Sequence, residues 1–211
     1  MTMRFHDVRV ALEGRELLRI DATVPAGGVL VLMGPSGSGK SSLIAHVGGF
    51  LASAFQASGR VEVDGADVTA LSPPQRRVGI LFQDPLLFPH MSVGGNLLFA
   101  LPRNERDRRR QAEEALIQAG LEGFLDRDPA TLSGGQAARV ALMRVLLSRP
   151  RALMLDEPFS KLDAGLRGQV RDFTFRTARD RNLPILLVTH DEEDAEAALA
   201  ACPGEVVRIG S

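Results

Sequence analysis

The segment Gly34-Pro35-Ser36-Gly37-Ser38-Gly39-Lys40-Ser41-Ser42 sets glycines, a lysine and hydroxyls in the order G-x-x-x-x-G-K-[ST]. The glycines let the backbone curl until successive N–H groups point inward at an anion. A helix starting directly behind them adds the partial positive charge of its first turn. In such a cradle Lys40 reaches the β- and γ-phosphates of a nucleotide, and the Ser41 hydroxyl is a ligand of Mg²⁺. Lysine is scarce here: Lys40 and Lys161 are the only two among 25 basic residues. A lysine kept in a chain that otherwise uses arginine points to a position needing a compact ammonium rather than a planar fork.

Leu153-Met154-Leu155-Asp156-Glu157 places two adjacent carboxylates where an apolar run ends. Isolated acids at the end of a buried strand are costly, so a nearby cation is the natural complement. Asp156 is expected in the Mg²⁺ shell, and Glu157 is expected to orient an attacking water and accept its proton. His190 follows 185–189 and suits a hydrogen-bonding sensor of the γ-phosphate. Gln83 ends the run 78–82 and suits contact with both Mg²⁺ and that water. His6, His46 and His90 have no comparable setting, and no His/Cys spacing resembles a zinc site.

These residues need elements that deliver them to one place. Runs 29–33, 78–82, 152–155 and 185–189 are short and continuously apolar, as strands of a parallel sheet buried on both faces are. Each ends at a residue of interest: Gly34, Gln83, Asp156 and His190. Ligands of open parallel sheets sit beyond the carboxyl ends of the strands. Val61, Val63 and the Asp64-Gly65 turn predict a small antiparallel hairpin over 60–68. Ala112, Ala115, Leu116 and Ala119 predict one helix, with Arg106, Arg108, Arg109 and Arg110 on its solvated face. Val140, Met143 and Leu147 predict another, closed by Pro150. The apolar segment Leu86-Leu87-Phe88-Pro89-His90-Met91 reads as an irregular loop, either a partner surface or tucked into a helical insertion.

Composition narrows the class. With 211 residues, 45% hydrophobic and a net charge of -1, the chain reads as one core-forming domain without the basic excess of a nonspecific nucleic-acid binder. A single cysteine excludes an internal disulfide framework. The start, residues 1–10, lacks the apolar core of a signal peptide, and no apolar run approaches the roughly 20 residues of a spanning helix. The expected location is the cytoplasm, with any membrane role exerted through a partner.

Leu132-Ser133-Gly134-Gly135-Gln136, a second glycine motif before a helix, makes the chain resemble an ATP-binding cassette (ABC) ATPase over nearly its whole length. Beside the P-loop, Gln83 corresponds to the family's Q-loop, 132–136 to its signature, 153–157 to Walker B, Ser160, Lys161, Leu162 and Asp163 to the D-loop, and His190 to the switch histidine. The resemblance implies an α/β P-loop NTPase fold with a mostly parallel core sheet, a small antiparallel β subdomain and a helical insertion at about 84–136, all one domain. It implies ATP and Mg²⁺ as ligands, and a homodimer or paired cassette in which each ATP is sandwiched between one P-loop and the opposite signature. It further implies transmembrane permease subunits and, for an importer, an extracytoplasmic solute-binding protein, with the ATPase peripheral on the cytoplasmic face of the membrane. No nucleic-acid partner is implied.

Phe88-Pro89-His90-Met91-Ser92-Val93 with Asn96, and Glu157-Pro158-Phe159-Ser160, resemble bacterial importers of thiamine, polyamines, iron(III), sulfate or molybdate. An exporter-type cassette and a soluble ABC protein are the alternatives; the soluble kind generally carries two cassettes or a long coiled-coil insertion. The chain departs from the family pattern at three places. Upstream of the P-loop, where the family stacks adenine on an aromatic residue, it reads Val10-Ala11-Leu12-Glu13, and it contains no tyrosine or tryptophan. Lys161 stands where the D-loop commonly has a small residue. The sequence ends soon after Val206-Val207-Arg208-Ile209, earlier than the family's usual last elements.

Overall fold

In the computed structural model, which describes residues 1–210, the first half runs β1 (Met3–Leu12), β2 (Arg15–Val24), β3 (Val29–Met33), α1 (Lys40–Gly48), β4 (Phe55–Val63), β5 (Ala66–Asp67), α2 (Pro73–Arg76) and β6 (Val78–Leu81). There follow α3 (Val93–Ala100), α4 (Arg108–Gln118), α5 (Gly134–Leu147), β7 (Ala152–Asp156), α6 (Ala164–Asp180), β8 (Ile185–Thr189), α7 (Glu192–Ala201) and β9 (Gly204–Arg208). The described chain divides into two compact units, one of residues 1–80, 151–157 and 175–210, the other of 81–150 and 158–174.

The first unit carries the strands. A five-stranded sheet has the order β6-β7-β8-β3-β9, and β3 pairs in parallel with β8 and β9, as β7 does with β8. All five residues of β3 and of β8 are buried, so the continuous apolar runs are strands covered on both faces. Register sets the chemistry: Met33 lies beside Thr189 and Asp156 beside Val188. The residues that follow, Gly34, Glu157 and His190, therefore leave the sheet together at the carboxyl ends of its strands.

An antiparallel sheet of order β2-β1-β4-β5 accompanies it. The Asp64-Gly65 turn has positive φ at both residues, the type I′ geometry that matches strand twist. The predicted hairpin is real but is only the tip of a longer ribbon in which β4 pairs with β1 over most of its length. In β1, Met3 and Phe5 are buried and then Val8 and Val10, a phase change made by a bulge at which Asp7 takes φ 44°. Gly59 of β4 faces this bulge at φ 88°, and a Cβ there would lie 2.4 Å from the Asp7 carbonyl oxygen. Only glycine fits.

The second unit is helical, with α3 packed on both α4 and α5. The α4 stripe is as predicted: Ala112, Ala115 and Leu116 are buried. Of the four arginines over 106–110, Arg106 precedes α4 rather than lying on its face, and Arg106, Arg109 and Arg110 are exposed, with Arg109 paired to Glu113 and Arg110 to Glu114. Arg108 departs from the solvated face. Its guanidinium donates to the Leu98 and Leu101 carbonyls, satisfying the exposed end of α3.

Candidate active site

The sharp turn after β3 is built on two left-handed glycines, Gly37 at φ 81° and Gly39 at φ 89°. Gly39 caps α1 without any side-chain acceptor, so the first N–H groups of the helix have no side-chain partner at the cap. A Cβ at Gly34 would lie 2.7 Å from the Ile209 carbonyl, and one at Gly39 about 3 Å from Leu17 and Leu18. The backbone curl therefore requires glycine on packing as well as conformational grounds.

Lys40 is 6% exposed, and its ammonium donates to the Gly34 and Pro35 carbonyls at 2.7 Å each, with Ser38 Oγ at 3.5 Å. These partners are neutral. A buried cation held by neutral oxygens alone keeps a strong attraction for an incoming anion. Ser36, Ser38 and Ser42 stand around the same curl as hydroxyl donors.

Ser41 Oγ donates to Asp156 Oδ1 at 3.2 Å. Burial holds the Asp156 carboxyl above the usual carboxylate range. The Ser41 hydrogen bond and the charge of Lys40 oppose that shift, and the neighbouring Glu157 adds to it. A carboxylate kept uncomfortable in this way favours a cation. Among the described residues no group of three or more His, Cys, Asp or Glu could hold a metal alone. A hydroxyl and one carboxylate instead suit Mg²⁺ bound jointly with substrate phosphates and water.

Glu157 follows β7 at φ 46°, an uncommon conformation for a non-glycine residue, and its N–H donates to the Val188 carbonyl at 2.9 Å. The strained backbone turns its carboxylate toward the β8 end, where His190 Nδ1 lies 3.1 Å from Glu157 Oε1. The His190 side chain is 61% exposed. The first unit thus brings together Gly34, Pro35, Lys40, Ser41, Asp156, Glu157 and His190.

Gln83, the signature and the D-loop belong to the second unit. Gln83 Nε2 donates to Ser160 Oγ at 2.9 Å, and Lys161 Nζ lies 2.5 Å from Asp84 Oδ1. The segments 83–84 and 160–161 are therefore joined by two side-chain pairs. Leu162 is buried, and the Asp163 carboxylate accepts the Leu166 N–H at the start of α6. Ser133 caps α5 in a reciprocal box: its Oγ accepts from the Gln136 N–H, and Gln136 Oε1 accepts from the Ser133 N–H. Gly135 is buried where a Cβ would meet Leu166 and Val170 at 3.4 Å, while Ser133 and Gly134 are exposed and Leu132 is half-buried.

Sequence reasoning missed the partners that fix these segments. Buried Asn96 both accepts from the Phe88 N–H and donates to the Phe88 carbonyl. Arg144 donates to the Pro85 and Leu86 carbonyls and lies over the Phe88 ring. The 86–91 loop is thus clamped in its backbone, with Phe88 half-buried against Phe99, while Leu86 and Phe99 stay exposed. Asn96 carried a legible signal, being the one polar side chain in α3. Asp84 carried none, since it gains meaning only from Lys161.

Residues 17–160 match the ABC transporter family. The uncharacterized ABC transporter ATP-binding protein YnjD of Escherichia coli is 48% identical over 187 residues, covering 88% of this chain and 86% of that protein. The thiamine import ATP-binding protein ThiQ of Vibrio vulnificus is 41% identical over 186 residues, covering 87% of this chain and 78% of ThiQ. The Fe(3+) ions import ATP-binding protein FbpC of Escherichia coli is 40% identical over 201 residues, covering 91% of this chain but 56% of FbpC. This chain therefore spans little more than half of that relative. The glycine cradle with its buried lysine, the paired carboxylates and the sequence likeness agree, and the chain belongs to the ABC transporter family.

Proposed function

We propose that the chain is the ATP-hydrolysing subunit of a bacterial ABC importer. Relatives named for thiamine and Fe(3+) import support the direction of transport. The single observation that carries the catalytic reading is the cluster at the carboxyl ends of the core strands: Lys40 buried in the cradle, Ser41 on Asp156, and Glu157 on His190. Gly34 to Ser42 hold the triphosphate, chiefly through backbone N–H groups and Lys40. Ser41 and Asp156 would hold Mg²⁺, which would supply charge neutralisation for the phosphate oxygens. Glu157 accepts the proton of the water that attacks the γ-phosphorus. The bond to the bridging oxygen breaks, leaving ADP and inorganic phosphate. His190 holds Glu157 through Nδ1, with its exposed ring on the side where the γ-phosphate is bound.

The Ser133 to Gln136 helix tip is a second anion site, and the P-loop already holds the phosphates of its own copy. We assign this tip to the nucleotide of a second copy, in a head-to-tail dimer. No helix among the described residues is long and apolar enough to cross a membrane. Transport thus requires permease subunits, with the ATPase on the cytoplasmic face and a solute-binding protein outside. Lys161 and Asp84 join the D-loop to the segment after Gln83, so the two move together when the nucleotide is exchanged.

The test is phosphate release by the purified chain with Mg-ATP, together with isolation of the complex from cells. Slow basal hydrolysis and copurification with a polytopic membrane protein are expected. Changing His190→Ala should lower turnover about 10²- to 10³-fold, as for loss of one oriented donor. Copurification with ribosomes or DNA instead, or unchanged turnover in that variant, would contradict the assignment.

A further inference from the structure

The cradle opens into a cavity of about 370 Å³, within the range of small-molecule sites. Its lining is of two kinds. Ser36, Lys40, Ser41, Ser42 and Glu157 supply every polar side chain of it, on the phosphate side. Leu12, Leu17 and Phe55 supply the apolar part, with Leu17 packed beside Gly39 of the cradle. Phe55 is the single aromatic residue among them.

The antiparallel sheet brings these three side chains to one corner. Leu12 is the last residue of β1 and pairs with Phe55, the first of β4, while Leu17 lies on β2 just beyond the Glu13-Gly14 turn. Phe55 is half-buried, with part of its surface packed against the hydrophobic core and part lining the cavity. A ring held on one side by the core and open on the other is a ready stacking platform. A nucleotide held by its phosphates at the cradle carries a flat aromatic base that must lie somewhere beyond them. The apolar part of this cavity is what rewards a π-face rather than a charge.

Resting on the reading of the cradle as a nucleotide site, we propose that Phe55 is the residue on which the base of the bound nucleotide stacks, with Leu12 and Leu17 completing the apolar part. The ring comes from β4, downstream of the P-loop. Residues 10–13, upstream of it, supply only the aliphatic Leu12.

Two ligands separate base contact from phosphate contact: ATP, and inorganic tripolyphosphate, which lacks the base. By calorimetric titration, Phe55→Ala should weaken ATP about ten- to hundredfold and leave tripolyphosphate affinity unchanged. Because the chain contains no tryptophan or tyrosine, Phe55→Trp places a sole indole at the site. Its emission should change on adding ATP and stay constant on adding tripolyphosphate, and its ATP affinity should equal or exceed that of the parent. ATP affinity within twofold of the parent in Phe55→Ala, or indole emission indifferent to ATP, would overturn the proposal. If Phe55→Ala does not fold, the indole titration decides. A parent protein that binds neither ligand would defeat the nucleotide reading itself, and this inference with it.

Discussion

Two helices here begin at glycine-rich tips, and they treat their first-turn N–H groups in opposite ways. The tip of α1 is preceded by left-handed Gly39, has no side-chain cap, and folds the buried Lys40 ammonium over the curl. The tip of α5 is closed by Ser133 and Gln136, each accepting from the other's backbone N–H. An uncapped tip keeps its donors and partial charge for a ligand, whereas a boxed tip has spent part of them on itself. The comparison assigns different tasks to two similar sequences. The first can hold an anion unaided. On the proposed reading the second adds to a site whose charge is balanced elsewhere, offering the Ser133 hydroxyl proton and the exposed Gly134 backbone to an anion brought by another copy.

The contrast can be broken at the first tip. Lys40→Ala removes the one charge of the curl and should weaken triphosphate binding by about 2–5 kcal/mol, by analogy with truncating a buried, hydrogen-bonded charge. Equilibrium binding of ATP checks this. An affinity close to the parent would mean that the backbone alone holds the phosphates.

At the second tip the expected effect is smaller and of another kind. Ser133→Ala removes one half of the box and should lower stability by about 1 kcal/mol, seen as an earlier urea midpoint with unchanged slope. ATP affinity, measured at concentrations where the chain is monomeric, should not change. A loss of monomer affinity would mean that the two tips act within one copy.

The smallest expected effect concerns the carboxylate beside the open tip. Burial raises the Asp156 pKa above its ordinary 3.8, so the folded state holds this proton more tightly than the unfolded chain does. Its contribution to stability is therefore fully present below 3.8 and is lost as pH rises through the raised folded value. Asp156→Asn should make the nucleotide-free protein more stable than the parent at neutral pH, with the advantage vanishing in acid. The same variant should lose the extra thermal stability that Mg²⁺ with ATP confers on the parent. Equal melting temperatures across the pH range would show that this carboxylate is not under strain.

Legibility in the sequence followed the kind of signal each part carries. The four core strands were readable because burial on both faces leaves a continuous apolar run, and the cradle because its glycines and lysine are local in sequence. The strands β1 and β2 are not legible, since a half-buried strand shows only alternation and the Asp7 bulge shifts its phase midway. Pairings such as Gln83 with Ser160 or Lys161 with Asp84 join residues 77 positions apart, and no local pattern announces them. Arg108 reads like its exposed neighbours because a run of arginines hides which one turns inward. Phe55 lies in a segment without periodicity, and its meaning comes only from facing Leu12 across two strands.

The central claim is that two copies close around shared nucleotide, the lysine cradle of one meeting the serine-glycine tip of the other. Glu157→Gln slows hydrolysis while keeping the binding groups, so the closed state should accumulate. Light scattering of that variant during size-exclusion chromatography, with saturating Mg-ATP, should give the mass of a dimer, and the mass of a monomer once nucleotide is removed. A monomer in saturating Mg-ATP, with ATP demonstrably bound, would contradict the account.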